Sequence, residues 1–226
     1  MSSNEGSKKR TAEEAADKFA KAAKHEDPKA VLSCSVDITP KTPADAPKSF
    51  TFPPEMCKQF NDLWGKSFPK GKSQEFGGTI VKDKDGNLSL VNIGGGTSGT
   101  FTQNRSVPKD QTIVGGFHTH PYDKSEGGYT NVSLSGADMG NMINRGDNFN
   151  SVQSGDGLFM CMRTSETPKN VDAKKMDSEQ NARIMELTKK GNSFDKASQL
   201  AAKETAEKYK LAYYEGKDCT VNRVSP

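Results

Sequence analysis

Apolar residues follow two rhythms along this chain, and the switch between them is the first guide to its elements. Met56, Phe60, Leu63 and Trp64 recur at i, i+4, i+7 and i+8, the spacing of one helix face, and Pro53-Pro54 would open that helix. From Glu75 the rhythm becomes that of strands. Residues 76–81 form one apolar run, residues 88–93 return, and the Asp85-Gly86 pair centres a hairpin turn over 83–87. A glycine-rich loop spans 94–99. Residues 112–114 lead a further strand into Gly115-Gly116-Phe117-His118, a short helix runs from Ser135 to about Ile143, and 158–162 read as a buried strand.

Towards both ends the rhythm thins. Residues 1–10 read as disordered. Thr11 with Glu14 makes a capping box for an Ala-rich helix that stops before Pro28. Its apolar face is narrow (Ala15, Phe19, Ala22, Ala23), as on a peripheral or partner-contacting arm. Residues 38–54 hold five prolines from Pro40 onward and read as irregular. Residues 168–176 are polar and linker-like. One helix is expected from Asp177 to near Gly191 and another from Ser193 to near Gly216, with Tyr209, Ala212 and Tyr213 as core contacts at helical spacing. A last short strand covers 220–224. The chain thus divides into a tail and peripheral helix (1–30), an α/β core (31–165) and a C-terminal helical extension packed on that core (166–226).

Composition narrows the classes. With 226 residues and 32% hydrophobic content, one compact domain with polar appendages fits better than two full domains. The net charge is +3, from 32 basic and 29 acidic residues, and no basic stripe points to nucleic acid. No apolar run is long enough to span a bilayer, and no signal peptide is recognised. The expected location is the cytoplasm, or export without a signal peptide. None of the four cysteines, Cys34, Cys57, Cys161 and Cys219, forms a Cys-x-x-Cys pair, which argues against a zinc ribbon. Free thiols in a reducing compartment are the plainer reading. Long-range disulfides would imply an oxidising destination.

Two of the three histidines stand in His118-Thr119-His120-Pro121. Strand side chains alternate, so His118 and His120 share a face, and two imidazoles with one carboxylate are the protein half of an open, catalytic zinc site. Asp138, three residues after Ser135, would sit in the first turn of a helix, where the dipole favours a carboxylate. The plainer readings are that Ser135 and Asp138 are only a helix cap and Glu75 only a surface strand residue. Residues 94–99 lack the following helix that a phosphate loop needs. The 83–87 turn lacks the distal Glu of a calcium loop. Amidohydrolase, two-metal phosphoesterase and cupin sites need histidines this chain does not have, and a zinc deaminase needs Cys-x-x-Cys.

Glu75, His118, His120, Pro121, Ser135 and Asp138 together resemble the pattern of the JAMM/MPN+ metalloprotease superfamily: a Glu heading an early strand, His-[Ser/Thr]-His-Pro, then Ser-x-x-Asp. The resemblance covers about residues 70–165. It implies a mixed sheet flanked by helices, related to the cytidine-deaminase architecture, with extra N- and C-terminal helices here. It implies zinc on His118, His120 and Asp138, proton transfer by Glu75, an oxyanion contact from Ser135, and hydrolysis of an amide in a peptide or protein. Between His120 and Asp138 this chain is longer than the family pattern. Residues 122–131 read as a loop inserted at the mouth of the cleft, and Asp123 and Glu126 are the nearest alternative acids. Added helices of this kind resemble those of bacterial toxins and secreted effectors, with a cognate inhibitor or delivery protein as partner. The alternatives are a catalytically inactive scaffold of the same fold and a metal amidase acting on cell-wall peptides.

Overall fold

The computed structural model describes residues 39–224; the expected tail, the Thr11-capped helix and Cys34 lie outside them. The fold is mixed α+β. One sheet of eight strands runs in the order β1-β8-β7-β6-β5-β4-β2-β3. The strands are β1 (Ser49–Thr51), β2 (Phe76–Lys82), β3 (Leu88–Gly95), β4 (Thr112–Thr119), β5 (Phe149–Ser154), β6 (Gly157–Met162), β7 (Ala212–Lys217) and β8 (Thr220–Arg223). Only the β4–β5 pair is parallel. The helices are α1 (Pro54–Lys66), α2 (Gly136–Arg145), α3 (Ala173–Lys189) and α4 (Phe194–Lys208).

The period-two alternation of β6 and β7 fills both faces of the sheet. Leu158, Met160, Met162, Ala212 and Tyr214 point into a core closed by Met56, Phe60 and Leu63 of α1. Phe159, Cys161 and Tyr213 point the other way, into a core closed by Met139, Met142 and Ile143 of α2 and by α4. Burying each such aliphatic or aromatic side chain contributes roughly 1.5–3 kcal/mol before the entropy of ordering is counted. On β4 the alternation carries a phase shift: Ile80 pairs with Gly115 but Val81 with Ile113, leaving Val114 as the extra residue of a bulge. Beyond it Phe117 faces α1, its ring stacked on Phe60 at 3.7 Å. Thr119 faces the same way and bonds Ser67 at 2.7 Å. His118 and His120 therefore face α2.

Several expectations change. Residues 149–154 form a central strand although Asn150, Ser151, Gln153 and Ser154 are polar; all are buried. Part of their bonding is to neighbouring backbone, Ser151 to the Gly116 carbonyl and Ser154 to that of His120. The short β1 lies inside the proline-rich stretch. α3 begins at Ala173 rather than Asp177, because Asp172 caps it by accepting from the Lys175 amide. The last helix stops at Lys208 instead of near Gly216: Lys210 takes a left-handed φ of 59°, and Ala212, Tyr213 and Tyr214 continue as a strand. Cys57 on α1 is disulfide-bonded to Cys219 in the β7–β8 turn, 162 residues away, against the expectation of free thiols there. Cys161 is free and buried. Among the described residues, no helix is long and apolar enough to cross a membrane.

Candidate metal centre

Two elements, β4 and α2, bring the ligands together. β4 supplies His118, and the backbone continues in register just beyond it, where the His120 amide donates to the Gln153 carbonyl at 2.9 Å. α2 supplies Asp138 from its first turn. The ligating atoms form a small triangle: 3.0 Å between the two imidazole Nε2 atoms, 3.1 Å from His118 Nε2 to Asp138 Oδ1, and 3.3 Å from His120 Nε2 to Asp138 Oδ2. Ligands about 2.0–2.1 Å from a tetrahedral zinc ion stand about 3.3 Å apart, so the triangle has the size of three corners of that coordination shell. This is the group among the described residues whose His, Cys, Asp or Glu ligand atoms converge tightly enough to hold a metal ion.

The proton inventory makes the same point. His120 Nδ1 lies 3.0 Å from the Ser133 carbonyl. A carbonyl only accepts, so Nδ1 carries the hydrogen and the Nε2 lone pair of the neutral ring points at the other two ligands. A lone pair, a second imidazole nitrogen and a carboxylate at these distances repel unless a cation sits among them. In the metal-free chain a proton on His120 can take that place. Burial alone would lower the His120 proton affinity, but its bond to Asp138 and the charges of Asp138 and Glu75 outweigh burial and raise it. Burial alone would likewise raise the Asp138 carboxyl, but His118 and His120 hold it well below the usual carboxylate range.

Ser133 is itself anchored from the C-terminal part of the chain. Its amide donates to Ser198 Oγ of α4 at 3.0 Å, and its hydroxyl lies 2.6 Å from the Tyr213 hydroxyl of β7. Ser133, Ser198 and Tyr213 support His120, and nothing in the sequence pattern singles them out. Asp138 is held by a complete capping box with Ser135. Its Oδ2 accepts from the Ser135 amide and hydroxyl, both at 2.8 Å, and its amide donates to Ser135 Oγ at 3.0 Å. Ser135 and Asp138 are therefore a helix cap and a candidate ligand at once. From α3, Asp177 accepts from the Ala137 amide and Gln180 donates to the Leu134 carbonyl, fixing the approach to α2.

Glu75 stands just before β2, its amide and carbonyl tied to Thr97 and Gly96. Gly77 pairs with His118, so the same register continued two residues sets Glu75 opposite His120, on the metal side of the sheet. Gly77 has to be glycine: a Cβ there would lie 2.3 Å from the Phe117 carbonyl and 2.8 Å from His118 Cβ. Glu75 is buried, not a surface residue, and it is not one of the three converging ligands. Burial raises its carboxyl above the ordinary range; His118 and His120 pull it down only in part, and Asp138 adds to the rise. A carboxyl whose proton affinity is raised in this way, and which is not itself a ligand, is suited to take up and pass on a proton.

Asp123 and Glu126, the alternative acids, are not among the converging ligands, although Glu126 lines the same cavity. Asp123 caps a short 3-10 turn (Lys124–Glu126) and accepts from the Ser73 amide; Glu126 accepts from the Ser73 hydroxyl. They pin the inserted loop to the segment before β2. The loop also supplies Tyr122, packed against Phe194 and Tyr129. Glu75, Tyr122, His118, Asp138 and the Ser98–Gly99 turn line a cavity of about 350 Å³, within the usual range for a ligand site. Burial, then the charge of Glu75, push the Tyr122 hydroxyl up to about 12, so it stays protonated as a donor at neutral pH. No family profile, no curated protein and no solved structure matches the chain.

Proposed function

We propose that the protein is a zinc-dependent hydrolase that cleaves an amide bond in a peptide or protein, a peptidase or isopeptidase of the kind the sequence pattern resembles. The observation that carries the reading is the convergence of His118, His120 and Asp138 at coordination distance beside a buried acid, Glu75, that is not among them. Zinc held there would supply the Lewis acidity that activates a water and polarises a carbonyl. Glu75 receives the proton of the attacking water and delivers it to the departing amine, the shuttle that its raised proton affinity favours. Ser135 Oγ is bonded to Asp138 and would have to exchange that bond to meet an oxyanion. Tyr122 offers a second hydroxyl on the same cavity wall. The Cys57–Cys219 disulfide favours an oxidising destination, and with it the exported reading.

Two variants separate the roles. His118→Ala should lose bound zinc and hydrolysis together. Glu75→Gln should keep the full zinc content while kcat falls by about 100-fold or more. Zinc content is read by elemental analysis and hydrolysis on a peptide panel that includes isopeptide and cell-wall cross-links. Equal loss of zinc in both variants would overturn the assignment of Glu75. Stoichiometric zinc without hydrolysis of any amide would favour the scaffold reading.

A further inference from the structure

Beyond His118, on the far side from Glu75, the cavity continues into a smaller pocket of about 40 Å³. It has room for about three water-sized groups, the bulk of a carboxylate. Its wall is rich in polar side chains. Asp138, Asn141 and Arg145 recur at i, i+3 and i+7 on α2 and all line it, with Asn150 of β5 and Gln103 opposite. Asn150 is 3% exposed, yet its side-chain amide makes no hydrogen bond to a described residue. Gln103 and Asn150 meet over Gly116, where a Cβ would lie 3.1 Å from Asn150 Oδ1 and 3.2 Å from Gln103 Oε1.

The Arg145 end of the pocket is the positive one, and Asp138 stands at the other. Asp147 is buried and takes two arginines: Arg105 through NH1 and NH2, at 3.1 and 2.9 Å, and Arg145 through Nε at 2.9 Å. Within this cluster one carboxylate against two guanidiniums leaves a surplus of one positive charge, set on the pocket wall across from the Asp138 carboxylate. It also leaves both terminal nitrogens of Arg145 without a hydrogen-bond partner among the described residues. A guanidinium edge held by a buried acid, beside a side-chain amide that opens onto the pocket, is arranged for bidentate recognition of a carboxylate.

We propose that this pocket is a carboxylate subsite, with Arg145 as its charge and Asn150 and Asn141 as its neutral donors. Asp138 and Arg145 stand about 10 Å apart along the axis of α2 yet line the same small pocket, so a carboxylate held there lies no further from the ligand cluster than about three residues of extended peptide. The substrate therefore carries a carboxylate, either a chain terminus or an Asp or Glu side chain, within about three residues of the bond presented to His118, His120 and Asp138. The register of cleavage rests on the hydrolase reading; the binding of the carboxylate does not.

Three probes test it: N-acetyl-glutamate α-amide, N-acetyl-glutamine as the free acid, and N-acetyl-glutamine α-amide, which is neutral. Each is titrated into the metal-free and the zinc-loaded chain while the Asn141 and Asn150 side-chain amides and Arg145 Nε are followed by NMR. Both acids should bind at least tenfold more tightly than the neutral amide in either state, and the tighter acid identifies the source of the carboxylate. Arg145→Gln should remove the preference. Asn150→Asp, nearly isosteric, should reverse it, and a melting curve for each variant establishes that it is folded. Equal binding of acids and amide, a preference that survives Arg145→Gln, or a preference present only with zinc would overturn the subsite. Charge discrimination without amide hydrolysis would leave the subsite standing and remove the hydrolase. Hydrolysis indifferent to charge would do the reverse.

Discussion

Because the Ser133 carbonyl takes the Nδ1 hydrogen of His120, the neutral ring has one nitrogen left to offer, and it faces the Asp138 carboxylate and His118. This has a measurable consequence in the metal-free chain. Asp138 is held below its ordinary value of 3.8, so it adds stability that is present above that pH and is lost as pH falls through its folded value. His120 is raised above 6.5, so its contribution is complete below that pH and is lost as pH rises through the folded value. Glu75, raised above 4.5 by burial, costs more to ionise in the folded chain and so also weakens it on the alkaline side. In excess chelator the melting temperature should therefore be lower at pH 8.5 than at pH 5. A flat or rising profile across that range would contradict the pairing. Zinc should reverse the trend, since it binds neutral imidazoles in place of the proton.

Elements with a strong rhythm were legible. The i, i+4, i+7 spacing of Met56, Phe60 and Leu63 marks α1, whose three side chains are buried, and strand alternation by itself puts His118 and His120 on one face. β5 was not legible, because a strand in the centre of a sheet can bury Gln153 when a neighbouring side chain and carbonyl accept its bonds, and Asn150 where its side chain lines a pocket. The end of α4 was not legible either: tyrosines spaced for a helix also suit a strand, and the left-handed turn at Lys210 has no glycine to announce it. Nor was the joining of α1 to the β7–β8 turn through Cys57 and Cys219, whose partnership exists only once β8 has paired with β7 and β1. Closing so long a loop stabilises chiefly by restricting the unfolded chain. Cys57→Ser should lower the unfolding free energy by about 2–5 kcal/mol in urea titrations and leave zinc affinity unchanged. An unaltered midpoint would show that the bond does not form in solution.

At the scale of the molecule, the site depends on the whole sheet. His118 comes from β4, Asp138 from α2 and Glu75 from the lead into β2. The carbonyl that orients His120 is anchored by α4 and β7, far along the sequence. The C-terminal helices and strands are thus part of what holds the imidazole pair in place. The central claim is that one metal ion belongs on His118, His120 and Asp138, and zinc K-edge absorption on the reconstituted protein tests it most directly. The account predicts one zinc per chain, bound by two imidazole nitrogens and oxygen ligands at about 2.0–2.1 Å, and the loss of that spectrum in Asp138→Ala but not in Asp123→Ala. An unchanged coordination shell in Asp138→Ala, or no zinc bound to the intact protein, would contradict it.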